Sequence, residues 1–312
     1  MLKRTSIALC LALLAANAAQ ADGNNYGSAA YWTQGAGSRA AGMGGAFVAL
    51  ADDATAGYWN PAGLGQMDLY LYQAALQYVF LQDQMSSSYL SYSFQLPEIG
   101  AFSLSWINFS ISGLEGRDDL GAVTETFGSS ENTIWASYGR KVYEWVKGLS
   151  LGASLKFLHH GIGEFQAVGH GLDVGALWQP FLQWDHTVGL NVQNLFQRVY
   201  WQTGENTLDP SLVNAKLGVA LKFFPSQEEV YFNHLITAVD LEFGEYYRFA
   251  YRLGAEYWYQ ASLGLRAGFS GQEVTFGASY RPEYYEVDYA FLYDLSELGR
   301  HQHRVTLLLR FK

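Results

Sequence analysis

Apolar and polar residues alternate along short segments through the C-terminal four-fifths of the chain. The last segment has one apolar and one polar face, formed respectively by Val305, Leu307, Leu309 and Phe311 and by Arg304, Thr306 and Arg310. Strand side chains point to opposite faces in turn, so this period of two is typical of β-structure. Segments 250–260, 263–269 and 285–294 repeat the pattern. The sequence therefore predicts an all-β protein.

Counting the alternating segments gives fourteen strands, an even number that suits a closed antiparallel barrel. The predicted strands are 69–81, 87–96, 100–111, 131–140, 149–160, 169–179, 185–194, 212–223, 234–243, 250–260, 262–270, 273–282, 284–294 and 302–312. Segments 69–81 and 100–111 alternate poorly, so a count of twelve stays open. Connections 112–130 and 195–211 are predicted to be long loops, whereas most of the connections that follow even-numbered strands are short.

Alternation alone does not separate a membrane barrel from a soluble sandwich, which hides its apolar faces inside. The N-terminus favours the barrel. Lys3 and Arg4 precede an apolar run and an Ala19-Gln20-Ala21 site, which predicts a signal peptide over residues 1–21. No stretch reaches the roughly 18 apolar residues of a membrane helix. We therefore expect an exported protein that crosses the bacterial outer membrane with strands.

The amino-acid composition also favours a membrane barrel over a soluble sandwich. The chain has 22 Tyr, 19 Phe and 9 Trp, and only 15% of its residues are charged, whereas soluble domains carry about a quarter. Tyr and Trp are enriched where a protein crosses the interface between lipid and water. Aromatic pairs such as Tyr246-Tyr247 and Tyr284-Tyr285 lie at the ends of predicted strands. Outer-membrane lipid is therefore an expected partner.

The charged residues of the last strands fall on one face, which we expect to line the lumen. An arginine on the lipid side near the bilayer midplane costs about 2–4 kcal/mol, which favours an inward orientation. The predicted lumen-facing charges are Asp240, Glu242, Arg252, Glu256, Arg266, Glu286 and Asp288. Two interpretations stay open: these residues form a substrate path, or they are the polar lining of any wet barrel interior.

A barrel of fourteen strands is too wide for its own side chains to fill. Residues 22–66 precede the first strand, lack strand alternation and are nearly half Gly and Ala, which suits a segment folded compactly inside the barrel. The predicted organisation is therefore a signal peptide over 1–21, a plug over 22–66 and a barrel over 67–312.

The residues of this plug resemble a known hatch. The run from Gly37 to Asp53 (GSRAAGMGGAFVALADD), followed by Tyr58 to Leu64 (YWNPAGL), is similar to the N-terminal hatch of the long-chain fatty acid transporter (FadL-like) superfamily. The PorV/PorQ branch is the part of that superfamily that it resembles most. The resemblance implies a fourteen-stranded outer-membrane barrel whose hatch or gating residues include Arg39, Gly42, Gly44, Gly45, Asp52, Asp53, Asn60, Pro61 and Ala62.

Two functions follow from the resemblance. Transporters of this superfamily bind hydrophobic compounds beside the hatch, which implies a barrel that binds or conducts small hydrophobic molecules. Barrels of the PorV type take part in type IX secretion, which implies secretion-system proteins as partners. The chain is shorter than typical fatty acid transporters and lacks an obvious apolar gripping segment, so the substrate stays open.

Other chemistry finds little support in the sequence. Gly35-Ala36-Gly37 mimics a dinucleotide fingerprint, but no strand precedes it. The neighbouring His159 and His160 point to opposite faces of a strand, and neither they nor the pair His301 and His303 have the partners of a metal site. Asp240 and Glu242 lack a nucleophile signature. A net charge of −10 disfavours nucleic acid as a partner. We therefore expect a protein that is not an enzyme and has no cofactor.

Overall fold

The computed structural model describes residues 35–67, 70–81, 84–180, 185–202, 208–210, 213–223, 233–244, 249–296 and 301–312. The predicted signal peptide and residues 22–34 of the predicted plug lie outside the described residues. Tyr246-Tyr247 and most of the connection between the predicted strands 212–223 and 234–243 also lie outside them.

Fifteen strands run through the described residues. They are β1 (Tyr72–Phe80), β2 (Met85–Leu96), β3 (Gly100–Arg117), β4 (Val123–Lys141), β5 (Leu149–Ile162), β6 (Phe165–Trp178), β7 (His186–Trp201), β8 (Leu208–Pro210), β9 (Asn214–Phe223), β10 (His234–Gly244), β11 (Ala250–Tyr259), β12 (Leu263–Phe269), β13 (Glu273–Tyr280), β14 (Tyr285–Asp294) and β15 (His301–Phe311). Every strand except the three-residue β8 corresponds to one of the fourteen predicted segments.

These fourteen strands form a closed antiparallel ring. Each pairs with the next along the chain, β7 pairs with both β6 and β9, and β1 pairs with β15 through partners such as Ala74 and Leu309. The short β8 lies against β7 only. A closed ring leaves no unpaired edge in an apolar surrounding, where unsatisfied backbone groups are costly. The prediction of a fourteen-stranded antiparallel barrel is confirmed, and the count of twelve is wrong.

Side-chain burial follows the alternation of the strands. Large apolar side chains on the outer face are exposed, such as Leu265 at 63%. Polar side chains on the inner face, among them Ser103, Thr133 and Thr306, are buried. A soluble sandwich would bury the apolar face instead. This distribution selects the membrane barrel from the two folds that alternation left open.

The connection predicted as a long loop over 112–130 is mostly strand. β3 continues to Arg117, β4 starts at Val123, and the turn between them is closed by a hydrogen bond from the Asp118 N–H to the Ala122 carbonyl oxygen, 3.0 Å long. This hairpin projects beyond the neighbouring strands and is largely exposed on both faces, so its sequence needs no apolar face. β7 likewise continues to Trp201, well inside the predicted loop 195–211.

Residues 35–67, hereafter the inner segment, pack inside the ring. They contain the helices α1 (Ser38–Gly42) and α2 (Ala56–Trp59) and a 3-10 helix over Pro61–Gln66. Their polar contacts reach strands on all sides, from β1 and β15 to β7 and β10. Phe47, Tyr58 and Trp59 form their buried aromatic centre. Within the described part of the chain, no helix has the length and apolar character needed to cross a membrane.

Candidate functional site

The Asn60-Pro61-Ala62 triplet contacts the fourteen-stranded ring, hereafter the wall, through the side chain of Asn60. The Asn60 side-chain N–H group donates to the carbonyl oxygens of Val48 at 3.0 Å, Ala176 at 3.1 Å and Leu190 at 3.3 Å. Its side-chain oxygen accepts from the Ala62 N–H at 3.1 Å and thereby starts the 3-10 helix. Ala176 and Leu190 are paired residues of β6 and β7. One buried amide therefore joins the inner segment to two strands.

Glycines of the wall allow this close approach. A Cβ atom at Gly175 would lie 2.0 Å from the Asn60 Oδ1 atom, and a Cβ atom at Gly152 or Gly139 would lie 2.3 Å from the backbone of Pro61. These three glycines belong to β6, β5 and β4, so they form a seat for the triplet on neighbouring strands. None of the three was among the predicted site residues. A signal was present, because glycine inside a strand often marks a close backbone approach.

Arg39 is the centre of an ion cluster between α1 and β11. Its guanidinium group donates two parallel hydrogen bonds of 2.9 Å to the two carboxylate oxygens of Glu256. The same group contacts Asp52 and, at 3.3 Å, Asp53. Burial alone would lower the pKa of Arg39, but Asp52, Glu256 and Asp53 raise that pKa well above its ordinary range. Arg39 therefore stays charged and requires its carboxylate partners.

The wall continues this cluster away from the inner segment. Arg266 donates to Glu256 at 2.5 Å and lies 3.2 Å from Asp288 and 3.6 Å from Glu286. Arg281 and Arg310 also pair with Glu286, at 2.7 Å and 2.6 Å. Four of the predicted lumen charges thus meet Arg39 in one network. Arg281 and Arg310 also belong to it, although neither was among the predicted site residues.

The other three predicted lumen charges meet on β10 and β11. Glu242 accepts from Arg252 at 2.9 Å and lies 3.6 Å from Lys216. Asp240 accepts hydrogen bonds from the N–H groups of Phe47 and Val48, at 2.7 Å and 2.9 Å. Asp240 is therefore a further direct link between the wall and the inner segment, on a different strand from Glu256.

The glycines of the GMGG run fit tightly against β12 and β13. Gly44 has a φ of +65°, which favours glycine, and a Cβ atom there would lie 2.5 Å from the backbone nitrogen of Phe269. Gly42 touches Gly277, and Gly45 lies beside the Arg252 side chain. Thr275 accepts from the Gly44 N–H at 2.9 Å and donates to the Gly42 carbonyl at 3.0 Å. The run therefore serves close backbone packing.

Histidines outside this interface are not arranged as metal ligands in the described part of the chain. His159 is exposed and His160 is buried on the same strand, while His301 and His303 have rings 5.5 Å apart near the start of β15. Across the described ranges, no group of three or more His, Cys, Asp or Glu side chains is arranged to hold a metal ion.

Comparison with solved structures finds barrels of the same architecture. The structure resembles the Pseudomonas putida toluene transporter TodX with a TM-score of 0.60 and 14% sequence identity, covering 89% of this chain and 99% of that one. It resembles the Ralstonia pickettii toluene transporter TbuX with a TM-score of 0.57 and 16% identity over the same shares. A Pseudomonas aeruginosa FadL homologue matches with a TM-score of 0.52 and 12% identity, covering 88% of this chain and 98% of that one.

The chain has the fold of FadL-type transporter barrels. No protein-family model matches its sequence, and no curated protein is similar enough to match. At 12–16% identity the likeness extends to the fold, and fold by itself does not fix function.

Proposed function

We propose that this protein is an outer-membrane barrel that conducts small hydrophobic compounds and that its inner segment is a hatch that controls their passage. The observation that carries the proposal is the barrel's likeness, over almost the full length of both chains, to two toluene transporters. The exposed apolar side chains on the outer face agree with a position in lipid. The predicted signal peptide agrees with export.

The contacts of the inner segment support a gating role. The segment is held by hydrogen bonds and ion pairs at separate points of the wall, through Ser38, Arg39, Asn60 and the N–H groups of Phe47 and Val48. Each is a polar contact that can exchange with water or with another polar group. A segment held in this way can move without unfolding the ring, since the strands pair among themselves.

The contacts that would change when the hatch moves are those of Arg39 with Asp52 and Asp53. The Asp52 side chain is 41% exposed, whereas that of Arg39 is 5% exposed. The Arg39 pair with Glu256 is therefore buried, whereas the carboxylate of Asp52 is partly accessible. A shift of the segment would transfer the guanidinium group between carboxylates without leaving it unpaired.

A reversible cross-link tests the gate. The hydroxyl oxygens of Ser38 and Thr306 are 2.8 Å apart across the interface of the inner segment and β15, and the sequence has one cysteine, Cys10 in the predicted signal peptide. We expect the Ser38→Cys/Thr306→Cys variant to block toluene entry when oxidised and to restore it when reduced. A toluene-responsive reporter in cells that lack their own transporter gives the readout.

The single-cysteine variants are the matched controls and should respond to neither oxidant nor reductant. Equal toluene entry through the oxidised and reduced double variant would rule out the hatch as a gate. Absence of toluene entry through the unmodified barrel would rule out conduction itself.

A second candidate function is a PorV-like role in protein secretion. The hairpin of β3 and β4 favours it, because this hairpin projects from the barrel and presents Leu120 at 93% exposure beside the exposed Val123. Such apolar side chains on a projecting hairpin suit a protein partner. If this role is correct, removing residues 114–126 abolishes co-purification of secretion components and leaves toluene entry unchanged.

A further inference from the structure

The outer face of β5, β6 and β7 carries three adjacent side chains that can donate to an anion. His159, His170 and Arg198, hereafter the outer cationic cluster, are all exposed. His170 and Arg198 are direct partners across β6 and β7, and His170 pairs with Phe157, two residues from His159. Direct cross-strand neighbours have Cβ atoms about 5 Å apart and diagonal ones about 7–8 Å apart. The three side chains can therefore reach one ligand.

The cluster lies at one boundary of the apolar band. On β6 the outward residues from Trp178 to Leu172 are apolar, His170 is the next outward residue, and the exposed Val168 follows it. The eight positions from Trp178 to His170 rise by about 20 Å at roughly 3.3 Å per residue and a tilt of about 40°. On β5 the outward residue that follows Phe157 is His159, and on β7 the outward residue that follows Phe196 is Arg198. The apolar band of outer-membrane barrels is about 25 Å tall, so this row lies within about 5 Å of its boundary.

The boundary faces the extracellular side. β5 and β6 turn back at residues 163–164, at the same end of the barrel as the projecting hairpin of β3 and β4. The longer projections of outer-membrane barrels are extracellular, and the short turns are periplasmic. The outer cationic cluster therefore lies within reach of the headgroups of the outer leaflet. Within the described residues, no carboxylate forms an ion pair with Arg198.

An apolar recess adjoins the cluster on its membrane side. It has a volume of about 320 Å³, and its lining includes Leu155, Phe157, His170, Leu172, Leu195 and Phe196. The recess is produced by an irregular stretch of β7, where the pairing with β6 shifts twice between His170 and Val174. Asn194 and Phe196 take positive φ values of 64° and 54° there, and Phe196 is 80% exposed. Strain of this kind often accompanies a binding function.

A row of amide and hydroxyl side chains continues the cluster along β4 and β3. Asn132 is the cross-strand partner of His159. It accepts from the Trp106 indole N–H at 3.1 Å and from Asn108 at 3.0 Å, while Ser110 and Ser130 extend the row. Amides, hydroxyls and an indole are the groups that bind sugar hydroxyls through hydrogen bonds and stacking.

We propose that this surface binds a phosphorylated glycolipid of the outer leaflet. The outer cationic cluster binds a phosphate group, since guanidinium and imidazole N–H groups form strong hydrogen bonds to phosphate oxygens. An acyl chain fills the recess beside Phe157 and Phe196, and the row of Asn108 and Asn132 contacts the sugar. The inference rests on the proposed function only in placing the barrel in the outer membrane.

Binding to the purified full chain tests the site. The probe is a bisphosphorylated, acylated diglucosamine lipid, and native mass spectrometry in detergent measures its affinity. We expect Arg198→Gln to weaken binding about fivefold, as suits one cation near a lipid phosphate, and His170→Gln/Arg198→Gln to weaken it further. The matched control is Arg140→Gln, which removes an exposed cation that pairs with Glu144 at the opposite end of the barrel. This control should change the affinity less than twofold.

Comparison ligands separate the sources of the phosphate. We expect the lipid without phosphate groups, phosphatidylglycerol and inorganic phosphate each to bind at least fivefold more weakly than the bisphosphorylated lipid. Equal binding of phosphatidylglycerol, equal loss in the Arg140 control or no binding by the unmodified chain overturns the proposal. Toluene entry through the Arg198 variant should be unchanged, so a failure of hydrocarbon transport and a failure of lipid binding appear in different measurements.

Discussion

At the scale of single residues, Asn60 concentrates more contacts than any other position of the triplet. Its amide donates to carbonyl groups of the inner segment, β6 and β7, and its oxygen starts the 3-10 helix. A buried amide surrounded by acceptors is specific in orientation, because only its NH₂ group can face the carbonyl oxygens. This requirement explains why the position needs asparagine rather than a similar acid.

We expect Asn60→Ala to lower the free energy of unfolding by roughly 2–4 kcal/mol, since several net hydrogen-bond contributions disappear. Asn60→Asp should cost more, because its carboxylate oxygens would face the carbonyl oxygens of Ala176 and Leu190. Denaturant unfolding of the detergent-solubilised barrel measures both variants. A smaller loss for Asp than for Ala would contradict the assigned orientation of the amide.

Glu256 joins two arginines, Arg39 of the inner segment and Arg266 of the wall. We expect Glu256→Gln to destabilise the barrel by about 3–5 kcal/mol, as the loss of one partner leaves buried charge uncompensated. It should also increase the leak of small hydrophilic solutes into cells. The control is Glu115→Gln, whose pair with Arg117 is exposed on the hairpin of β3 and β4 and is worth less than about 1 kcal/mol. Equal effects of the two changes would show that burial of the cluster does not matter.

At the scale of elements, the wall and the inner segment fit because several strands omit side chains at matched positions. Gly139, Gly152 and Gly175 lie on adjacent strands and face the triplet, and Gly189 and Gly218 approach the backbone of Val48 and Ala49. Glycine weakens a strand, so its repeated use on the inner face suits contact with a second layer of backbone. The inner segment therefore fits the wall by close backbone packing as well as by hydrogen bonds.

Gly175→Ala tests this contact. The added Cβ atom would lie 2.0 Å from the Asn60 Oδ1 atom, and we expect a destabilisation of about 1–3 kcal/mol from overpacking together with a displaced inner segment. The matched control is Gly161→Ala, where the nearest heavy atom is 3.8 Å away. Protease accessibility of residues 35–67 reports the displacement. Unchanged accessibility in the Gly175 variant would indicate that the segment does not need this close seat.

At the scale of the whole molecule, the barrel has apolar side chains outside and polar side chains inside, the reverse of a soluble protein. Its exposed apolar residues, such as Leu265, Leu104 and Phe276, alternate with buried polar residues on the same strands. Lipid supplies the apolar surrounding, and the closed ring satisfies the backbone. The energetic cost of a charge therefore depends on its face and on its depth.

We expect Leu265→Arg to destabilise the folded barrel in lipid by about 1–4 kcal/mol, since an arginine on the lipid face costs about 0–1 kcal/mol near the interface and about 2–4 kcal/mol at the midplane. Leu120→Arg provides the control, because Leu120 is more exposed but lies on the projecting hairpin. Its change should be within about 0.5 kcal/mol. Refolding into lipid vesicles with denaturant titration gives both values. A neutral Leu265→Arg would contradict the assignment of the outer face to lipid.

The period of two along the chain predicted the positions of the fourteen barrel strands, with a count of twelve left open, and the faces of the side chains in the segments that alternate clearly. That pattern is local, because every strand must present one face to lipid and the other to the interior. It failed where this constraint ends: the hairpin of β3 and β4 leaves the barrel, needs no apolar face and was predicted to be a loop. The motif of the inner segment likewise drew attention to Arg39 and Asn60 from the sequence alone.

The tertiary structure alone decided which groups meet. Glu256 joins Arg39 although the two are 217 residues apart, and the seat of glycines depends on the register that pairs Gly139 with Gly152 and Gly152 with Gly175. The recess beside His170 depends on two shifts in the pairing of β6 and β7, which alternation does not encode. Contacts of this kind arise from ring closure and register. A single sequence fixes the faces of a strand, whereas the partners across those faces depend on how all fourteen strands close around the inner segment.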